Sequence, residues 1–417
     1  MMTTFLLIIA GLFFPEANKR LLFENATYEP QIKSVQLYNL SGQPARSHAP
    51  AVTHIGQSRL VLEFDDLQND INSYYARLIH CNYDWTASNL RDLDFMRDYN
   101  EFNVNDYVYS NNTYTPYVHY TFRVPGVKLP GNYLLIVYRD GNKSDLILSH
   151  RIMVFDNKTS LEKDNQLSGA LTLRSTNQQL NFIVDYKGIE IVNPFQSVHV
   201  VVRQNFRWDK SKLDVQPSFV REDRNQIEYR LFGDDKHFEA GNEFRFVDFR
   251  SLNFPGQNTA RIDKSSRPFH LWVQPDESRE HQVYSQYTDI NGQFSIENLD
   301  NGRDINAADY ADVTFTLQSK EVSGQVYIMG EFNQWRKESN NQMQFNTANQ
   351  SYTSTILLKQ GWYNYAYEVV SDNLPAYFFE GSHYETENIY EVFFYYRPFQ
   401  PNADLLIGYF QLPVNVR

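Results

Sequence analysis

With 417 residues, 42% of them hydrophobic and 15% aromatic, the chain can bury several cores, and wholesale disorder is excluded. A formal net charge of −12 without any basic run excludes nucleic-acid binding by counterion displacement and electrostatic attachment to an anionic membrane. The 29 Tyr and 30 Phe against 5 Trp favour β-structure, since flat rings suit a pleated, half-buried surface.

Residues 5–14 (FLLIIAGLFF) form an apolar run too short to cross a bilayer as a helix and of the length of a secretory h-region. Polar sequence follows at once, which predicts export by a signal peptide within residues 1–24. No Cys lies beside the run, so no lipoprotein anchor is expected.

Residues 25–156 read as a first β-sandwich. Leu60, Leu62 and Phe64 alternate with Val61 and Glu63, and Val118, Tyr120, Phe122 and Val124 alternate with His119, Thr121 and Arg123. Leu148, His150, Ile152 and Val154 repeat the period of two, which is the signature of half-buried strands. Asp140-Gly141-Asn142 suits a tight hairpin. The polar stretch 156–169 reads as a linker. Residues 157–300 follow as a second sandwich, with one strand face in Leu180, Phe182, Val184 and Tyr186 and another in Val198, Val200 and Val202. Asn298 to Asp309 (NLDNGRDINAAD) marks the next boundary, and residues 301–417 form a third sandwich with strand candidates at 324–330, 352–358, 362–370 and 389–397. The expected class is all-β, three immunoglobulin-like sandwiches in series.

Motifs for catalysis are sparse. His80 and Cys81 are adjacent on a predicted strand and therefore point to opposite faces, so they do not form a Cys–His dyad, although a folded-back partner such as His119 stays open. Cys81 is the single cysteine and forms no internal disulfide. The ten histidines show no zinc spacing, and no nucleophile elbow or phosphate loop occurs. Asp289-Ile290-Asn291-Gly292 reads as a turn rather than a calcium loop, and Asp300, Asp304 and Asp309 as a solvated hinge. No enzyme activity, cofactor or metal is expected.

In the third sandwich, Gly330-Glu331-Phe332-Asn333-Gln334-Trp335 and Gly361-Trp362-Tyr363-Asn364-Tyr365-Ala366-Tyr367 resemble the early-set immunoglobulin domain of glycogen-binding modules. That resemblance implies a sugar-stacking role for Trp335; the turn 371–375 (SDNLP) lacks the second stacking Trp of such modules, and a glycan platform would need another exposed ring, for which Tyr377 is the candidate. Ala366 stands where such modules place a basic residue.

A longer resemblance covers the first two sandwiches. Phe64-Asp65-Asp66-Leu67, His80-Cys81-Asn82-Tyr83-Asp84-Trp85, Ser88-Asn89-Leu90, Thr115-Pro116-Tyr117-Val118-His119-Tyr120 and Gly131-Asn132-Tyr133 are similar to the plug protein of the type IX secretion system. So are Gln204-Asn205-Phe206-Arg207-Trp208, Ala240-Gly241-Asn242-Glu243-Phe244-Arg245 and Asp289-Ile290-Asn291-Gly292. The resemblance implies a non-enzymatic periplasmic protein that occludes the periplasmic end of a large outer-membrane β-barrel translocon, without inserting into the membrane and without a nucleic-acid or small-molecule substrate. The acidic segment after Trp85 is the expected docking surface, with Trp85, Asp94, Phe95, Tyr99 and Phe102 as contact residues. The alternative is an exported glycan-binding protein that uses the third sandwich.

Overall fold

The computed structural model describes residues 19–40, 48–57, 59–68, 70–164, 173–230 and 237–416. The expected leader run at residues 5–14 and the end of the linker at 165–169 lie outside the described residues. Strands take up 46% of the chain and helices 5%, so ladders between strands carry the architecture and the all-β expectation holds.

Sheet I has the order Ile32–Asn39, Leu60–Asp66, Val118–Arg123, Asp106–Tyr109. Sheet II has the order Ala26–Thr27, Leu146–Phe155, Gly131–Arg139, Tyr74–Cys81, Phe102–Val104. The expected hairpin joins Gly131–Arg139 to Leu146–Phe155, and its reversal uses Asp140 and Gly141 at positive φ, 52° and 71°. Phe64, Val118 and Tyr120 of sheet I meet Leu78, Tyr133, Leu135 and Val137 of sheet II in the first core.

Strand Gly131–Arg139 also buries its other face. Leu134, Ile136 and Tyr138 pack with Val201, Phe393, Tyr395 and Leu406 of sheet III. Sheet III has the order Arg207–Lys212, Val198–Gln204, Asn388–Tyr396, Leu405–Val414. Its far side, through Val200, Val202, Val392 and Phe394, closes a further core with Phe182, Val184, Ile227 and Tyr229 of sheet IV. Sheet IV has the order Ser160–Asp164, Asn181–Asp185, Gln226–Arg230, Phe219–Arg221. Four sheets are thus stacked with a hydrophobic layer between each pair. Sheets II and III are covered on both faces, and their central strands Gly131–Arg139 and Asn388–Tyr396 are buried along nearly their whole length.

The remaining core lies between sheets V and VI. Sheet V holds Arg245–Asp248, Gly361–Val370, Phe294–Ile296 and Gln325–Met329. Sheet VI has the order Thr259–Asp263, Phe269–Val273, Tyr310–Gln318, Ser351–Lys359, Gln344–Asn346. Val247, Ile328, Tyr363, Tyr365 and Tyr367 face Leu271, Val313, Phe315 and Leu317 across this core.

These pairings differ from a serial arrangement. Residues 245–296 pair within sheets V and VI, across the boundary expected at 300/301. Strand Asn388–Tyr396, expected in the third sandwich, instead lies beside Val198–Gln204. The V/VI sandwich is therefore inserted between strands of the sandwich that begins at Ser160. The reason is legible in Tyr390-Glu391-Val392-Phe393-Phe394-Tyr395, a mostly apolar run buried on both faces, which needs a central position in a doubly covered sheet. The linker expected at 156–169 starts as strand Ser160–Asp164.

Candidate functional site

The strand carrying His80 and Cys81 sends them to opposite faces, as expected from its period of two. The His80 ring meets Tyr133 edge to face at 5.0 Å, and its Nδ1 lies 2.9 Å from Ser88 Oγ. Burial pushes the imidazole pKa down to about 4. Cys81 enters the layer between sheets II and III, where burial pushes the thiol up to about 12. The open candidate His119 points elsewhere, its Nδ1 lying 2.7 Å from Asp65. This geometry holds the thiol protonated with no base beside it.

What the long sequence motifs build is a set of joints. At the first joint, between sheets II and III, the Asn82–Thr86 turn closes with Asn82 N–H donating to Thr86 O at 2.8 Å. Trp85 takes φ 67°, and the turn seats its indole edge to face on Trp208 at 4.9 Å. Tyr83 stacks on His199 at 4.0 Å, and its N–H donates to the buried Asp404 carboxylate at 3.0 Å. Tyr395 donates to Asn132 at 2.8 Å. Gly131 has φ 153°, and a Cβ there would lie 2.5 Å from His80 Nε2, so the close approach admits only glycine.

The second joint ties sheet I to sheet VI. Lys359 Nζ lies 2.7 Å from Asp65 Oδ2, with both side chains buried. Tyr310 donates to the same carboxylate at 2.7 Å. Burial raises the Asp65 pKa, but Lys359 and His119 more than offset it, and the carboxyl ends below its usual range. Lys359 has one buried anion in contact, so burial wins and its pKa falls. Beside this pair, Asp309 accepts from the N–H groups of Tyr114 and Thr115 at 2.7 and 3.0 Å, and the Tyr117 hydroxyl donates to Ala308 O at 3.0 Å. The Asn298 to Asp309 stretch expected as a solvated hinge is held by its carboxylates, each of which accepts from at least one main-chain N–H, while residues 301–303 stay exposed.

The third joint ties sheet III to sheet V. Arg207 bonds Glu368 at 2.6 Å and places its guanidinium 3.8 Å from the Trp335 ring centroid. Arg245 bonds Glu380 at 3.0 Å and Asp276 at 2.8 Å, and Arg279 also bonds Glu380. Asp289 accepts from Asn291 N–H in the expected turn, and Gly292, at φ 81°, leaves room for the Trp335 ring.

The expected docking residues separate by burial. Trp85 and Phe95 are buried, 3% and 1% exposed, so neither presents a surface to a partner. Asp94 caps the short helix Asp92–Phe95, accepting from Arg91 N–H at 2.8 Å, and Phe102 packs against the first core. Tyr99 is 77% exposed. Leu93 and the edge strand Asp106–Tyr109 add exposed Tyr107, Val108 and Tyr109, which the sequence reading did not single out. Of the expected glycan pair, Trp335 lines a cleft of about 290 Å³ with Trp85 and Trp208, and Tyr377 lines a smaller one with Glu239 and Glu380. Arg207 covers one face of the Trp335 ring. Sequence reading missed Lys359, Arg151, Asp404 and Glu380, each of which has at least one partner more than 100 residues away.

Among the described residues no helix is long and apolar enough to cross a membrane, and no group of His, Cys, Asp and Glu is placed to hold a metal ion. The crystal structure of a hypothetical protein from Parabacteroides merdae ATCC 43184 matches with 27% identity and a TM-score of 0.87, over 95% of this chain and 100% of that one. Trypsin-activated alpha-2-macroglobulin from Escherichia coli matches at 8% identity over 91% of this chain and 23% of that one, with a TM-score of 0.15. No curated protein matches. Residues 32–156, which hold sheet I and nearly all of sheet II, match the family described as the type 9 secretion system plug protein 1st domain.

Proposed function

We propose that the chain is a non-enzymatic plug that occludes the periplasmic end of a large outer-membrane β-barrel translocon of the type IX secretion system, after export by a signal peptide within residues 1–24. The match of residues 32–156 to the plug first domain carries this reading. The joints support it: an obstruction of a wide pore has to resist deformation, and buried ion pairs, stacked indoles and shared hydrophobic layers bind the cores to one another. Docking falls to the exposed part of the segment after Trp85, namely Leu93, Tyr99 and the edge strand Asp106–Tyr109. Exposed tyrosines bring large contact area at low entropic cost, and an edge strand presents unpaired main-chain groups.

Affinity purification of the tagged full chain from detergent-solubilised envelopes tests the reading. A very large outer-membrane barrel is expected in the eluate. Its absence, together with unchanged permeability of a deletion strain to large antibiotics, would overturn the proposal.

A further inference from the structure

The cleft shared by Trp85, Trp208 and Trp335 has a chemistry that pore occlusion does not call for. Three of the chain's 5 tryptophans meet there, at the junction of sheets II, III and V. Its volume of about 290 Å³ is close to the lower end of small-molecule sites, roughly 300–1,000 Å³. The Arg151 guanidinium lies over two of the indoles, 4.6 Å from the Trp85 ring centroid and 5.1 Å from that of Trp208.

The arginines around the cleft differ in one respect. Arg336 pairs with Glu24 and Glu338, Arg207 with Asp209 and Glu368, and Arg203 with Glu391. Arg151 has no such pair among the described residues. Its Nε donates to Phe23 O at 2.8 Å, and among the described residues its two Nη groups meet no acceptor. Burial pushes its pKa down to about 10, with Glu24 the largest offsetting charge, and the group stays cationic at neutral pH. A second donor is also unanswered: Trp85 Nε1 is buried without an acceptor. A half-buried guanidinium with a free planar fork is complementary to a carboxylate. The carboxylates of Glu24, Asp84 and Asp209 in the same walls favour a monoanion over a dianionic phosphate.

We propose that this cleft binds a carboxylate carried on an aromatic or aliphatic body, with Arg151 as the bidentate donor to the carboxylate and the indoles of Trp208 and Trp335 flanking the apolar part. The carboxylate comes either from a small organic acid or from the C-terminus of another polypeptide. The site stands on its own residues and does not depend on the plug reading.

Isothermal titration of the full chain with N-acetyl-L-phenylalanine and with N-acetyl-L-phenylalaninamide tests it. The acid binds saturably and the amide at least about tenfold more weakly, because a charge-assisted fork is lost. Arg151→Met brings the acid down to the level of the amide, and Arg151→Lys falls between them, since charge remains without the fork. A peptide ending in Phe with a free carboxylate binds more tightly than the N-acetyl amino acid if the source is a chain terminus, and equally if it is a small acid. Equal affinity for acid and amide, no saturation by either at millimolar concentration, or an Arg151→Met chain that holds the acid as well as the parent would overturn the proposal. The acid–amide comparison uses unaltered protein, so a variant that fails to fold leaves the test intact.

Discussion

Lys359→Met removes the cation of the buried pair that ties sheet VI to sheet I. Two unit charges 2.7 Å apart interact by about 6 kcal/mol at an effective dielectric of 20, most of which is offset by taking both groups out of water. Deleting one partner exposes the other half of that balance: Asp65, fully buried, keeps its charge and loses its closest cation. Such losses run to roughly 3–5 kcal/mol. His119 and Tyr310 still bond the carboxylate, which places this one near the lower end, about 3 kcal/mol. The penalty falls on the joint and not on either core, so the readout is hydrogen–deuterium exchange of the backbone at 114–119 and 305–310. Protection there drops by about a hundredfold, while strand Gly131–Arg139 keeps its own. Asp65→Asn combined with Lys359→Met removes both charges and recovers more than half of the loss. Unchanged exchange at the joint in Lys359→Met, or a double variant as weak as the two single losses added, would refute the assignment of the pair as the element that holds these sheets together.

Three other outcomes are expected. Gly131→Ala places a Cβ against His80 and destabilises the first core by about 1–3 kcal/mol, read as a lower denaturant midpoint. Leu93→Ala with Tyr99→Ala leaves the unfolding midpoint unchanged and lowers recovery of the translocon in the pull-down, whereas Phe95→Ala costs about 3–5 kcal/mol of stability because its ring is buried. Glu243 is held at a pKa of about 7, chiefly by burial, while Tyr284 and the Glu387 N–H partly offset the rise and the neighbouring carboxylates of Asp289 and Glu387 add to it. Its folded pKa exceeds its unfolded one, so the folded state binds the extra proton and stability is lost as pH rises from about 4.5 to 7. Glu243→Gln removes that loss, and its stability relative to the parent grows across this window by up to about 3 kcal/mol; a pH-independent difference would contradict the burial of the carboxyl.

The strands were legible in the sequence wherever one face is wet. Val118–Arg123, with Val118, Tyr120 and Phe122 buried and Arg123 exposed, is a plain alternation. Strands buried on both faces lose that signal. Asn388–Tyr396 was read as a strand but assigned to the wrong sandwich, because an apolar run says that both faces are covered and not by what. The motif from His80 to Trp85 was legible as unusual, and its chemistry was misleading until the turn at Asn82–Thr86 showed the indole pointing inward rather than at a partner. Lys359 illustrates the opposite case. Nothing within ten residues marks it, since the charge that neutralises it is 294 positions away. Local pattern records what a side chain is next to in a strand, and long-range ion pairs leave no trace in it.

The insertion of the V/VI sandwich bears on how stiff the molecule is. A sandwich hung on a single linker can swivel, and its orientation then depends on interface area alone. Here the chain crosses to sheet V near Gly241 and returns near Ser382, and the two crossings are bonded to each other: Gly241 N–H donates to Ser382 Oγ at 3.0 Å, and Asn242 donates to Glu380 O at 2.8 Å. Asn388 then anchors the return strand to Ala240 O at 2.9 Å. Arg245 and Arg279 converge on Glu380 just beyond this pair. Rotation about either crossing would have to break the other, so swivelling needs several buried polar bonds to open together. Combined with the Asp65–Lys359 contact on the far side of the insert, the V/VI sandwich is held at two separated places. Two separated anchor points remove the hinge axis that one would leave.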